Sequence, residues 1–303
     1  MGILDGRVVI ITGAGRGIGR AEALESARQG ASVVLAEFDP SPAYDVADEI
    51  ITAGGRAIVA SGDVADTDFV DRTVAATVEE FGRLDALVNN AGILRMNELV
   101  NMTDDEWDSV IRVHLRGTFV PTRAVCRYWR ASGRPGRIVH TTSVSGLLAF
   151  PGAVNYGAAK SGIATFAAIV ASEMARYDVT SNAIAPMALT RMTTDLVDDE
   201  TRDPGGEFVF LDADNVAPMV AYLCSADAGH ISGKVFGVQG DSVEIFQPFT
   251  SVAEIKAGGR RWDAAELGDR VGELFEASGI PAEAENGFEK MRYGSQETPR
   301  SSE

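Results

Sequence analysis

Cysteine, lysine and long hydrophobic runs are scarce in this 303-residue chain. Only Cys126 and Cys224 occur. Each lies in an apolar run, which argues against a disulfide framework or a cysteine-based metal site and fits two small hydrophobes in a reducing compartment. No stretch reaches the ~18 apolar residues that cross a bilayer. The amino terminus, MGILDGRVVIITG, runs into a first strand without the apolar core or small-residue cleavage site of a secretion signal. Gly2 does not open a myristoylation motif, because position 6 is Gly where Ser or Thr is required. Positive charge is also short: 27 Lys and Arg face 44 Asp and Glu, for a net charge of −17. With a pI near 4.6, the chain is expected to bind neither nucleic acid nor an anionic membrane surface. These absences together predict a soluble, cytoplasmic protein acting on a small molecule.

What is present is a packed α/β domain. The 45% hydrophobic content is ample for a core. Short apolar runs at Val8–Thr12, Val33–Ala36, Ala57–Ala60, Ala86–Val88, Ile138–Thr141, Ser181–Ala185 and Val235–Val238 alternate with stretches of helical spacing. Runs without polar alternation suit strands covered on both faces, so the expectation is a doubly wound, Rossmann-like sheet of about seven parallel strands. In that architecture ligands bind beyond the carboxyl ends of the strands. Residues 1–247 are read as this domain and 248–303 as an extension. In the extension, Leu267, Val271, Leu274 and Phe275 mark one amphipathic helix over Ala264–Ala277, and a polar tail from about Glu285 is expected to be disordered.

The first chemical signal follows the first strand directly. Gly13-Ala14-Gly15-Arg16-Gly17-Ile18-Gly19 leads into an Ala-rich helix reaching Gln29. Glycines let backbone amides approach a pyrophosphate, and the helix amino terminus adds partial positive charge. At the end of the second strand Glu37 stands roughly ~20 residues beyond the glycines, where a carboxylate binds a ribose 2′-hydroxyl. That favours NAD over NADP. Arg16 pulls the other way, because a guanidinium can pair with a 2′-phosphate.

A second signal is Tyr156-Gly157-Ala158-Ala159-Lys160, with Ser143 upstream at the end of a strand. A spacing of four puts Tyr156 and Lys160 on one helix face. A tyrosine with a pKa of ~10 is nearly all protonated at neutral pH, and a nearby ammonium is expected to lower that value. The pair then forms an acid/base unit. Lysine is otherwise confined to Lys234, Lys256 and Lys290, so its use at position 160 in an arginine-rich chain is informative.

Taken together, these residues resemble the short-chain dehydrogenase/reductase family over roughly Leu4 to Val243. Thr12–Gly19 looks like its cofactor turn, Asp63-Val64 like its adenine contact, and Asn89-Asn90-Ala91-Gly92 like its turn over the cofactor. Ser143, Tyr156 and Lys160 match its catalytic set, and Asn182–Pro186 its strand toward the nicotinamide, which puts Pro186 and Leu189 at the cofactor. The resemblance implies hydride transfer between a nicotinamide and a CH–OH group, and a homodimer or homotetramer. Two positions depart from the family pattern: His114 replaces its helix asparagine and Met187 a glycine after Pro186. His114, Ile184-Ala185-Pro186 and residues 191–193 resemble a subgroup holding the dehydrogenase part of peroxisomal multifunctional enzymes and bacterial hydroxysteroid or 3-hydroxyacyl-CoA dehydrogenases. The family asparagine helps hold a proton-relay water, a task His114 could perform through its carbonyl or its ring.

Leu94, Met96, Leu147, Leu148, Phe150 and Met192 suggest an apolar mouth. Asp195, Asp198, Asp199 and Glu200, in a lid from Thr190 to Gly206, disfavour polyanionic substrates. Arg123, Arg127, Arg130, Arg134 and Arg137 read as a solvated basic face. A steroid- or terpenoid-like alcohol is thus the first substrate expectation and a 3-hydroxyacyl thioester the second. A non-catalytic sensor of NAD(H) would have no use for Ser143, Tyr156 and Lys160, and a structural assembly protein would need neither the glycines nor Glu37.

Overall fold

The computed structural model describes residues 2–148, 150–190, 208–247, 249–285 and 287. Its elements run β1 (Val8–Thr12), α1 (Gly17–Arg28), β2 (Ser32–Glu37), α2 (Pro40–Thr52), β3 (Arg56–Ser61), α3 (Thr67–Phe81) and β4 (Ala86–Asn89). Then come α4 (Asp104–Ile111), a π-helical turn (Arg112–Arg116), α5 (Gly117–Ser132), β5 (Gly136–Thr141), α6 (Val144–Leu147), α7 (Val154–Met174) and β6 (Val179–Pro186). After residue 207 follow α8 (Ala217–Cys224), β7 (Val235–Gln239) and β8 (Ser242–Phe246). The order across the sheet is β3-β2-β1-β4-β5-β6-β7-β8.

Along β1, Val9 and Ile11 face one apolar layer and Ile10 the other. The first layer is closed by α1, α2 and α8 through Ala23, Val46, Ile50, Val220 and Leu223. The second is closed by α3, α5 and α7 through Phe69, Val125, Trp129 and Val170. Strands sandwiched in this way have no polar face, so their sequences read as unbroken apolar runs. The strand order reverses between β1 and β4, the point beyond whose strand ends sheets of this kind bind their ligands.

Seven strands pair in parallel, and β8 corrects the expected count. It is an antiparallel edge strand joined to β7 by the two-residue loop Gly240-Asp241, with Gln239 opposite Ser242. A Gly-Asp pair between short β-prone runs is a hairpin signal. The half-exposed pattern of β8 sets it apart from the buried runs of the parallel strands.

The chain divides into two compact units, Met1–Phe246 and Gln247–Glu303. In the second, the expected single helix is two: α9 (Ala264–Arg270) and α10 (Gly272–Ser278), broken at Val271. Gly268 and Gly272 explain the break, each costing roughly ~1 kcal/mol of helix propensity relative to Ala. The tail expected to be disordered from about Glu285 lies outside the described residues apart from Glu285 and Gly287.

Candidate active site

The turn after β1 is shaped by close approach. Gly13 has a φ of +66°, and a Cβ there would stand 2.8 Å from Ala91 Cα. A Cβ on Gly19 would lie 2.1 Å from the Gly13 carbonyl oxygen and 2.4 Å from Asn90 Nδ2. Only bare backbone fits. No side chain caps α1 and its first turn holds no acid, so its leading amides are disposed to receive an anion.

Glu37 closes this turn. Its carboxylate accepts from the Gly15 amide at 2.9 Å and from its neighbour Phe38 at 3.0 Å. Arg16 reaches instead to Asp39, at 3.6 Å, and both side chains are exposed. Asn90 Nδ2 donates to the carbonyls of Thr12 and Gly13 at 3.1 and 3.2 Å, locking β4 to the turn. Thr12 shares that work: its hydroxyl accepts from the amides of Asn90 and Ala91 at 3.0 and 3.1 Å and donates to Val88 at 3.3 Å. It is a support that residue pattern alone did not single out. Ile18 packs against the apolar layer under α1. Asp63, beyond β3, accepts from the Ala65 amide at 2.8 Å and from Arg112 at 2.6 Å, and Val64 beside it is buried. Pro186 ends β6, the amide of Met187 bonds Val238, and Leu189 follows with its amide on the Leu211 carbonyl. The glycine cradle, the carboxylate beside it and the strand-end turns around it fit a nicotinamide dinucleotide.

Ser143, Tyr156 and Lys160 are brought together by α6 and α7. Ser143 caps α6, its oxygen accepting from the Ser145 amide at 3.2 Å. The Ser143 hydroxyl stands close enough to the Tyr156 phenol to lower its pKa. Lys160 lies with Nζ 5.5 Å from the centroid of the Tyr156 ring and donates to the Thr141 carbonyl at 2.6 Å. Burial pushes the Tyr156 phenol above its ordinary range, with the Ser143 hydroxyl pulling it down. This differs from the expectation that the lysine dominates: burial drives Lys160 itself down to about 7, weakening its charge.

Two further supports went unremarked in the sequence. Asn155, fully buried, accepts from the Tyr156 amide at 2.7 Å and donates to the carbonyls of Arg95 and Glu106 at 2.9 and 3.0 Å. Thr142 donates to the Lys160 carbonyl at 2.5 Å. An asparagine in the first turn of a helix, directly before the tyrosine, was the available signal.

His114 sits in the π-helical turn, where the Gly117 amide reaches back five residues to the Arg112 carbonyl. Its Nε2 lies 2.7 Å from the Ile93 carbonyl oxygen and 3.0 Å from the Ile93 amide nitrogen, so either tautomer grips that peptide. Its ring meets Tyr156 edge to face at 5.1 Å, and the Gly92 backbone presses against it. Burial first, and the Lys160 charge second, hold its pKa down at about 3. The ring is therefore neutral at physiological pH.

The expected mouth residues divide. Leu94, Leu147, Leu148 and Phe150 are half-buried and Met96 is exposed. Their two segments meet through the Asn97–Ala153 bridge and the bond from the Asn97 amide to the Gly152 carbonyl at 3.0 Å. Met192, and the lid beyond Thr190 with its four acids, lie outside the described residues. The basic face loses one member: Arg137 is buried on β5, donating to the carbonyls of Ser225, Gly136 and Asp178, because its guanidinium substitutes for missing backbone partners there.

A family model of short chain dehydrogenases matches residues 7–201. The chain is 39% identical over 284 residues to hydroxyacyl-CoA dehydrogenase ChsB1 of Mycobacterium tuberculosis, covering 90% of this chain and 89% of that one. It is 39% identical over 249 residues to a 3-oxoacyl-acyl-carrier-protein reductase of Synechocystis, covering 80% and 99%. It is also 43% identical to part of the peroxisomal hydratase-dehydrogenase-epimerase of Neurospora crassa, over 73% of this chain and 23% of that longer protein. Among solved structures, a short chain dehydrogenase from Mycobacterium avium superposes with a TM-score of 0.85 at 43% identity, covering 93% of this chain and 98% of that one. Sequence, fold and the grouping of Ser143, Tyr156 and Lys160 converge, and the chain belongs to the short-chain dehydrogenase family.

Proposed function

We propose that this oxidoreductase interconverts a secondary alcohol and a ketone, with Tyr156 moving the proton. The observation that carries this reading is the grouping of Tyr156 with buried Ser143 and Lys160, the Lys160 Nζ lying 5.5 Å from the Tyr156 ring centroid. In the oxidative direction Ser143 orients the substrate hydroxyl and Tyr156 takes its proton. Lys160, anchored on Thr141 and Thr142, holds its ammonium 5.5 Å from the Tyr156 ring centroid, where its charge, weakened by burial, assists the phenolate beside the Ser143 hydroxyl. The bound nicotinamide supplies the hydride acceptor. Its pyrophosphate would rest on the Gly13–Gly19 turn, its adenine by Asp63 and Val64, and its nicotinamide half by Asn90, Ala91, Gly92, Pro186 and Leu189. Because the base form of Tyr156 is required and burial raises its pKa, oxidation should speed up as pH rises.

NAD is the proposed cofactor. Glu37 presents a carboxylate at the turn, and Arg16, the one residue there that favours a 2′-phosphate, is paired with Asp39. Among substrates, the names of two relatives, a hydroxyacyl-CoA dehydrogenase and a 3-oxoacyl carrier-protein reductase, move the 3-hydroxyacyl thioester ahead of a steroid-like alcohol. The test is initial-rate measurement with a 3-hydroxyacyl-CoA and a steroid alcohol, each with NAD and NADP. Turnover of the thioester with a clear NAD preference is expected; turnover of the steroid alone, or an NADP preference, would overturn the corresponding part.

A further inference from the structure

The π-helical turn Arg112–Arg116 is tied at both ends to the loop that follows β3. Arg112 donates to Asp63 Oδ2 at 2.6 Å, and Arg116 Nε donates to the Ala65 carbonyl at 3.0 Å. These two arginines are four residues apart and hold the same loop. Directly beyond them the Gly117 backbone lies under Val64, so closely that a Cβ would come within 2.7 Å of Val64 Cγ2. His114, midway between the arginines, faces elsewhere: it grips the Ile93 peptide and abuts the Tyr156 ring. One turn of helix thus touches loop 63–65 on one side and the proton-transfer tyrosine on the other. A π-turn is a weakly held piece of helix, because its hydrogen bonds are strained away from the regular register, and its shape is set by what grips it.

We infer that this turn is a coupling element, in which Arg112 and Arg116 are positioning residues that transmit occupancy of the adenine pocket to His114 and Tyr156. The inference rests on the proposed adenine role of Asp63 and Val64. Asp63 uses Oδ1 for the Ala65 amide and Oδ2 for Arg112, and a carboxylate keeps further lone pairs for an exocyclic amine. An adenine ring can therefore dock without displacing Arg112. Docking immobilises loop 63–65, and the two arginines pass that order into the π-turn. The cost of ordering the catalytic side is met before the nicotinamide half arrives, which makes the two halves of the cofactor bind with positive cooperativity.

The experiment splits the cofactor into AMP and nicotinamide mononucleotide and measures the affinity for the second by calorimetry, with and without saturating AMP. In the wild type AMP should tighten nicotinamide mononucleotide binding on the order of tenfold. Arg112→Gln should bring that ratio close to one, and Arg112→Lys, which keeps the ion pair, should restore much of it. Arg112 is half-exposed, so its replacement leaves the core intact. A second readout follows the ring nitrogens by NMR: the chain has 3 histidines, and AMP should shift the His114 signals in the wild type but not in Arg112→Gln. Independent binding of the two halves in the wild type would overturn the coupling alone. So would a tightening that survives Arg112→Gln unchanged. Failure of AMP to bind at all would overturn the adenine assignment and the coupling with it.

Discussion

Around Gly13–Gly19 the chain is shaped by what its residues lack, whereas around Tyr156 it is shaped by buried polar side chains that nearly all have partners. In the glycine turn, backbone meets backbone and a single added carbon would collide with Gly13, Ala91 or Asn90. At Tyr156 the geometry comes from Asn155, Thr142, Ser143 and His114, which fix the backbone and rings around it. A turn of the first kind tolerates no addition. A centre of the second kind tolerates no deletion, because each lost side chain leaves a buried group unpaired.

Tyr156→Phe should have the largest effect on that contrast, lowering kcat by roughly 10²–10⁴-fold, the range for a lost general acid/base. NADH binding, followed by fluorescence, should stay near the wild-type value. Asn155→Ala comes next: it strands the Tyr156 amide and the carbonyls of Arg95 and Glu106. At about 1–3 kcal/mol for a buried group left unpaired, a denaturation midpoint clearly below wild type is expected, with kcat falling more than the affinity for NADH. If the deletion changed neither, the deletion half of the comparison would break.

Gly19→Ala tests the other half. The added Cβ meets backbone oxygen at 2.1 Å, so a loss of about 1–3 kcal/mol of stability is expected from overpacking. NADH affinity should weaken with it, while whatever cofactor binds at saturation should still be turned over. Wild-type affinity in this variant would show that the turn is less tightly built than it looks.

An effect read in pH marks an exception on the glycine side. Glu22 on α1 is buried, and neither of its carboxylate oxygens has a partner among the described residues. Burial alone raises its pKa from 4.5 to about 8. Between those values the folded chain holds a proton that the unfolded chain releases, so stability should fall as pH rises, by on the order of 1 kcal/mol per unit. Glu22→Gln should flatten that slope in denaturant titrations from about pH 5 to about pH 8, a window set by the same linkage. An unchanged slope would mean that Glu22 finds a partner in solution.

The same contrast decides what could be read in advance. Glycines at Gly13, Gly17 and Gly19 are conspicuous because their spacing follows a strand and opens a helix, and Ser143, Tyr156 and Lys160 stand out because their chemistry is unusual there. Asn155, Thr12 and Thr142 are common residues in common places, and their value lies in partners far along the chain, such as Arg95, Ala91 and Lys160. Arg137 belongs with them, since nothing in its neighbours announces the carbonyls of Ser225 and Asp178. The parallel strands were legible because both faces are covered; β8 was not, because only part of it is. Likewise the apolar rhythm from Leu267 to Phe275 suggested one helix, and two glycines divided it.

The most direct measurement of the central claim sets Tyr156→Phe beside Gly19→Ala, with NADH affinity and kcat determined for both on the same 3-hydroxyacyl thioester. A proton-transfer tyrosine and a backbone cofactor cradle predict crossed results: Tyr156→Phe keeps affinity and loses turnover, and Gly19→Ala loses affinity and keeps turnover at saturation. Wild-type turnover by a folded Tyr156→Phe that binds NADH would contradict the assignment.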